Sequence, residues 1–128
     1  MELVTLNELT YKIRGAIFKV HTSLGPGLLE SVYVAALSYE LSLLGLSVQT
    51  QVALPVEYCG ITLELGFRID ILVNDEIIIE IKSVELLHDV HKKQLLTYLK
   101  LANKRLGLLV NFNVASLKAK ESIIRIIN

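Results

Sequence analysis

Two stretches, Phe67-Arg-Ile-Asp-Ile-Leu-Val73 and Ile77-Ile-Ile-Glu-Ile81, constrain this 128-residue chain more than any other feature. Both are near-continuous aliphatic runs too short for helices, and the expected form is a strand covered on both faces. Only Asn74-Asp75-Glu76 separates them, so they are expected to pair antiparallel at the centre of a sheet. Each run is interrupted by one carboxylate, Asp70 and Glu80, and a buried carboxylate is costly unless it is paired. Side chains two apart on a strand share a face, which sets Lys82 beside Glu80. The odd-length connection then brings Asp70 opposite Glu80. Two ionised carboxylates about 4 Å apart repel by roughly 4 kcal/mol at an effective dielectric of 20. Something cationic must offset that. Lys82 is one candidate; a divalent metal is the better one, since Mg²⁺ takes one or two carboxylates and fills its shell with water and phosphate.

The rest of the chain reads as a frame for this pair. From Asn7 to Leu24 the residues Leu9, Ile13, Ile17, Val20 and Leu24 recur at helical spacing, with Asn7 as the expected N-cap. Gly25-Pro26-Gly27 stops that helix, and a second is expected from about Leu28 to Leu44, ending at Gly45. From Ser47 the pattern turns to strand: Val48, Val52, Val56 and Tyr58 lead to Cys59-Gly60, then Ile61 to Leu65 alternates, which predicts a hairpin. Glu85 to Ala102 returns to helical spacing and Leu106 to Val110 is a further buried strand. Glu121 to Ile127 fits an edge strand or a short helix equally well. The predicted order is α-α-β-β-β-α-β in a single domain over residues 1–128, an α/β fold with a central mixed sheet flanked by helices.

Composition closes off several classes. With 52% hydrophobic residues and a mean hydropathy of +0.52 the chain is not intrinsically disordered. No apolar run approaches the roughly 18 residues of a membrane span. The start, Met1-Glu2-Leu3-Val4, lacks the basic residues of a secretory leader, and a cytoplasmic protein is expected. Cys59 stands alone, so no internal disulfide forms, and one Cys with three His offers no zinc spacing. Net charge is zero, yet residues 1–91 carry twelve acids and five bases while 92–128 carry eight bases and only Glu121. The cluster Lys92, Lys93, Lys100, Lys104 and Arg105 is suited to a phosphate backbone, and equally to a solvated helix face.

In Asp70, the Glu80-Ile81-Lys82 tripeptide and Gln94-Leu-Leu-Thr-Tyr98 the chain resembles the PD-(D/E)xK nuclease superfamily, and its Q-x-x-x-Y motif resembles that of the RecB-like branch. Gly27-Leu-Leu-Glu30-Ser-Val-Tyr33 is similar to the signature of the small GxxExxY family within that superfamily, and the likeness runs over nearly the whole chain. The superfamily's loosely kept proline before the aspartate is Ile69 here. The resemblance implies a restriction-endonuclease-like core, with Asp70, Glu80 and the carbonyl of Ile81 as ligands of Mg²⁺ or Mn²⁺ and Glu30 as a further ligand, directly or through water. It implies that Lys82 orients the attacking water and stabilises transition-state charge, and that Gln94 and Tyr98 position phosphate or brace the site.

Other polar residues have plainer readings. Tyr33 reads as core, His21 as surface or helix packing, and His88 and His91 as solvated or capping groups at a helix start. Two functions follow from different classes. The first is a metal-dependent phosphodiesterase acting on DNA or RNA, with Glu30, Asp70, Glu80, Lys82, Gln94 and Tyr98 in the site and Lys92, Lys93, Lys100 and Arg105 holding nucleic acid. The second is a non-catalytic module of the same fold that binds nucleic acid or a protein partner; a homodimer through a helix face or sheet edge is compatible with either.

Overall fold

The apolar stripe of the first helix starts at Leu6, which is buried, and runs through Leu9, Ile13, Ile17 and Val20 against the sheet. Fully burying one such side chain contributes about 1.5–3 kcal/mol. This places the helix α1 at Leu3–Leu24 in a computed structural model that describes residues 3–128. Asn7 therefore lies inside α1 and is not its N-cap: Leu6 extends the stripe one turn upstream. The Asn7 side chain instead accepts a hydrogen bond from Arg125. Met1 and Glu2, at the start expected to lack a secretory leader, lie outside the described residues. No helix among the described residues is long and apolar enough to cross a membrane.

After Gly25 and Gly27, both in left-handed backbone that glycine adopts without penalty, helix α2 covers Glu30–Leu43. It starts two residues later than its periodicity predicts. Strands follow at β1 (Val48–Ala53), β2 (Val56–Tyr58), β3 (Ile61–Leu63), β4 (Arg68–Val73) and β5 (Ile77–Lys82). Helix α3 spans Asp89–Ala102, then come β6 (Leu106–Asn111) and β7 (Ile123–Ile127). The final segment is thus a strand, because its residues complete an antiparallel ladder along β6.

The main sheet has the order β1-β4-β5-β6-β7. Only β5 and β6 run parallel, joined across α3, and the other pairs are antiparallel. The mixed α/β architecture flanked by helices is the one predicted, with more strands than the predicted order contained. Among the described residues seven strands stand where the predicted order had four: the hairpin counted there as one unit has two arms, the last segment is β7, and the stretch before the hairpin breaks at Pro55. Without an N–H, proline cannot continue a ladder, so the stretch from Val48 to Tyr58 breaks in two: β1 pairs with β4, and β2 pairs with β3 in a separate two-stranded hairpin turned at Cys59-Gly60.

The sheet carries two apolar layers. Ile71, Val73, Ile77, Ile79, Ile81, Leu108 and Val110 pack against α1 and α2, while Ile69, Leu72, Ile78 and Leu109 pack against Leu95, Tyr98 and Leu99 of α3. On β5 the alternation is regular, and it assigns Glu80, two residues after Ile78, to the α3 side. On β4 it is broken: Ile69 packs on the opposite face from Ile71. Helix α3 lies close over β6 at Gly107, where an added Cβ would stand 2.9 Å from Leu95 Cδ1. That close approach seats α3 over β6, and from there Tyr98 joins the apolar layer of Ile69 and Ile78 on the carboxylate strands.

Candidate active site

The β4–β5 connection has Asn74 and Asp75 in left-handed backbone, a conformation these two residue types tolerate. Its register pairs Val73 with Ile77, Leu72 with Ile78 and Ile71 with Ile79. The next step along the same register is Asp70 and Glu80. There the regular ladder stops and the side chains take over. The Asp70 backbone N–H donates to Glu80 Oε1 at 3.1 Å, and the Ile81 backbone N–H donates to Asp70 Oδ2 at 2.9 Å. On the other side of β4, the register position facing Asp70 is Gln51, which is left-handed (φ 52°), and that one pair is missing from an otherwise continuous β1–β4 ladder. Strand β4 is thus released on both edges at Asp70, at the point where its face alternation breaks.

Glu80 is 5% exposed and Asp70 half-buried. Burial, then the neighbouring Asp70 charge, pushes the Glu80 carboxyl up to about 8, against the pull of the Asp70 backbone N–H and of Lys82. Lys82 is half-buried on the same face of β5. Tyr98, 7% exposed, accepts a hydrogen bond from Gln94 Nε2 at 3.1 Å and packs against Phe67. Burial and then the Glu80 charge raise the Tyr98 hydroxyl pKa above its ordinary value, so it stays protonated next to the carboxylates. Gln94 is exposed, on the solvent side of that pair.

Glu30 opens α2 and is exposed. Its helix start is tied to the end of β5 by the Ser83 hydroxyl, which donates to the Leu28 carbonyl at 2.6 Å. The His91 pKa is lowered by burial first and by Lys82 second, with the Glu30 charge opposing, which puts both charges within electrostatic reach of that ring. Asp70 and Glu80 come into direct partnership; among the described residues no group of three or more His, Cys, Asp or Glu is arranged to hold a metal ion. The donor set fits a divalent metal in a narrower way than three carboxylates would. Two hard carboxylates and the Ile81 carbonyl suit Mg²⁺ or Mn²⁺, and water or phosphate would supply the remaining positions.

The basic residues differ in whether an acidic partner is near. Lys104 is committed to Asp75 at 3.1 Å, and Lys92 is near Asp89 at 3.8 Å. Lys93 and Lys100, seven residues apart on one face of α3, are exposed, as is Arg105. His91 Nδ1 accepts the His88 backbone N–H at 3.0 Å, so it works as a cap. Helix α3 starts at Asp89 because residues 83–88 are held as a loop.

Two contributors were not singled out by sequence reasoning. Asn111, 2% exposed at the end of β6, accepts the Val84 and Asn113 N–H groups and donates to the Val84 carbonyl. Its sequence signal was a polar residue closing the run Leu106 to Val110, the same signal that marked Glu80. Gln51 had none, since a left-handed glutamine in a strand is set by its neighbours.

The model of the PD-(D/E)XK nuclease superfamily matches residues 7–126, and the chain belongs to that superfamily. Neither a curated protein nor a solved structure matches the chain. The five-stranded mixed sheet flanked by helices is the nuclease fold that this membership entails.

Proposed function

We propose that the protein is a divalent-metal-dependent phosphodiesterase that hydrolyses DNA or RNA with water as nucleophile, and that it stands in the GxxExxY family and near the RecB-like branch of its superfamily. The observation that carries this reading is the reciprocal Asp70–Glu80 arrangement beside Lys82. A buried Glu whose pKa is pushed up to about 8 by burial and a second carboxylate is poorly suited to a purely structural ion pair, and a bound cation relieves both causes. Asp70, Glu80 and the Ile81 carbonyl would hold Mg²⁺ or Mn²⁺, with Glu30 joining through water. When bound, such an ion polarises the phosphate and acidifies water.

The protein's own groups do the rest. Lys82 orients the attacking water and, as a fixed cation, stabilises the extra charge that the phosphoryl oxygens acquire in the transition state. Tyr98, kept protonated, offers its hydroxyl proton toward the carboxylate cluster, and Gln94 fixes that hydroxyl's direction and presents its amide to the phosphate side. Lys93, Lys100 and Arg105 hold the polymer by charge, with Lys92 contributing when it leaves Asp89.

The alternative, a non-catalytic module of the same fold, draws on the open groove of about 720 Å³ between α1 and α2, whose lining includes the exposed Tyr11, Phe18, Leu43 and Leu44. That face is suited to a protein partner or a second copy of the chain. Cleavage assays with Mg²⁺ or Mn²⁺ on single-stranded, duplex, flapped and RNA substrates separate the two readings. Hydrolysis abolished in Asp70→Ala and in Lys82→Ala, with metal-free binding retained or tightened, is the expected result. No cleavage above the Asp70→Ala background on any substrate would remove the enzymatic reading and leave the module.

A further inference from the structure

Beyond the end of β5, past Lys82, the chain builds a feature that hydrolysis itself does not need. An open cavity of about 650 Å³ lies over the loop between β5 and α3, lined by Val84, Glu85, Leu86, His88 and His91. Its wall begins two residues after Lys82, and its His91 ring feels the charges of Lys82 and Glu30. The loop under it is braced: Asn111 bonds both backbone groups of Val84, and Ser83 is tied to Leu28. On this frame Leu86 stands 64% exposed, and the His88 and His91 rings lie 5.8 Å apart, tilted by 48°.

The lining selects a ligand by its chemistry. Its lining carries Glu85 and no Lys or Arg, so it offers no fixed cation to a phosphate group. An aliphatic tip and two imidazole rings offer flat and apolar surface to a heteroaromatic ring, and Glu85 offers an acceptor to an exocyclic amine. A base inside a duplex has both faces stacked and its pairing edge occupied, and it reaches a side cavity only if it is flipped out.

We propose that this cavity receives one unpaired nucleobase of the substrate strand, next to the phosphate presented to Asp70 and Glu80, and so makes the protein select unpaired over duplex strands. This rests on the hydrolytic reading above and adds a substrate class to it.

The test uses the 128-residue chain without metal, so that nothing is cut, and short oligodeoxynucleotides in which 2-aminopurine is moved along the sequence, both single-stranded and annealed to a complement. The expected result is a position-specific change in fluorescence at one or two adjacent positions of the single strand, where the base leaves its stacked neighbours, with weaker binding and no position-specific change for the duplex. Leu86→Ser and His88→Asn, both at exposed positions and the second still able to cap α3, should each weaken single-strand binding about tenfold and remove that change, with the salt dependence unaltered because no carboxylate or ammonium group is added or removed. Equal affinity for both forms, or variants that bind and respond like wild type, would overturn the subsite; if Asp70-dependent cleavage persisted in that case, the nuclease reading would stand alone. A fluorescence change lost in the variants, in a protein with no Asp70-dependent cleavage, would uphold the base site and reject hydrolysis.

Discussion

Tyr33 and Phe112 stack face to face, ring centroids 4.4 Å apart and planes within 5° of parallel. The contact locks α2 to the end of β6, and the Tyr33 hydroxyl then reaches the turn before its own helix, donating to the Gly25 carbonyl at 2.6 Å and accepting the Leu28 N–H at 3.1 Å. Tyr33 is therefore a core residue that fixes where α2 begins, and with it the position of Glu30. Tyr33→Phe keeps the stack and loses both hydrogen bonds. It should cost about 1–3 kcal/mol in urea unfolding, and Tyr33→Leu should cost more because the ring stacking is lost too. A Tyr33→Phe protein as stable as wild type would show that the turn is held by other means.

Glu80 sets a pH dependence of stability in the absence of divalent metal. Its folded pKa, about 8, lies above the ordinary 4.5, so between those values the folded state holds a proton that the unfolded chain releases. The associated stability is complete below the unfolded value, declines as pH rises, and is gone above about 8. Each unit of separation corresponds to about 1.4 kcal/mol. Urea midpoints measured from pH 5 to 8 in EDTA should fall steadily, and Glu80→Gln should flatten that slope. Added Mg²⁺ should stabilise the wild type more at pH 8 than at pH 6, because ligation requires the ionised carboxylate. A slope that Glu80→Gln leaves intact would assign the effect to another group.

Gly107 tests how α3 is held over the sheet. Its absent Cβ would meet Leu95, which is fully buried and has little room to yield. Gly107→Ala should destabilise the protein by about 1–3 kcal/mol and, by lifting α3, reduce activity through Gln94 and Tyr98. Pairing it with Leu95→Ala should recover part of the α3 position and of the activity, which a crystal structure of the double variant would show directly. Full activity in Gly107→Ala alone would mean that α3 does not set the site.

Among the basic residues, those that touch the polymer are distinguishable by salt. Neutralising Lys93, Lys100 or Arg105 to Gln should each lower the slope of log affinity against log salt by about 0.7 for single strands or 0.9 for duplex DNA. Lys104→Gln should leave the slope unchanged, because Lys104 is engaged with Asp75, and should cost stability only slightly as an exposed pair. An unchanged slope in the first three would place the polymer elsewhere on the surface.

The local elements were legible because they rest on local rules. The aliphatic runs around Asp70 and Glu80 determined two central strands, the three-residue connection determined that these carboxylates meet, and the spacing of Gln94 and Tyr98 determined that they share a helix face. The chain could not reveal through its own pattern that Asn7 lies within α1, since helix extension there depends on Leu6 finding a sheet to pack against. Nor could it show that β1 would pair with β4 and leave β2–β3 as a separate hairpin, because Pro55 marks a break without naming the partner across it. Ladder opening at Asp70, with Gln51 forced left-handed beside it, is likewise a tertiary outcome. So is the clamp of Asn111 on Val84. Periodicity reports which face a residue takes along its own element; which faces meet, and how closely, is decided only when distant segments pack, as Gly107 and Leu95 do.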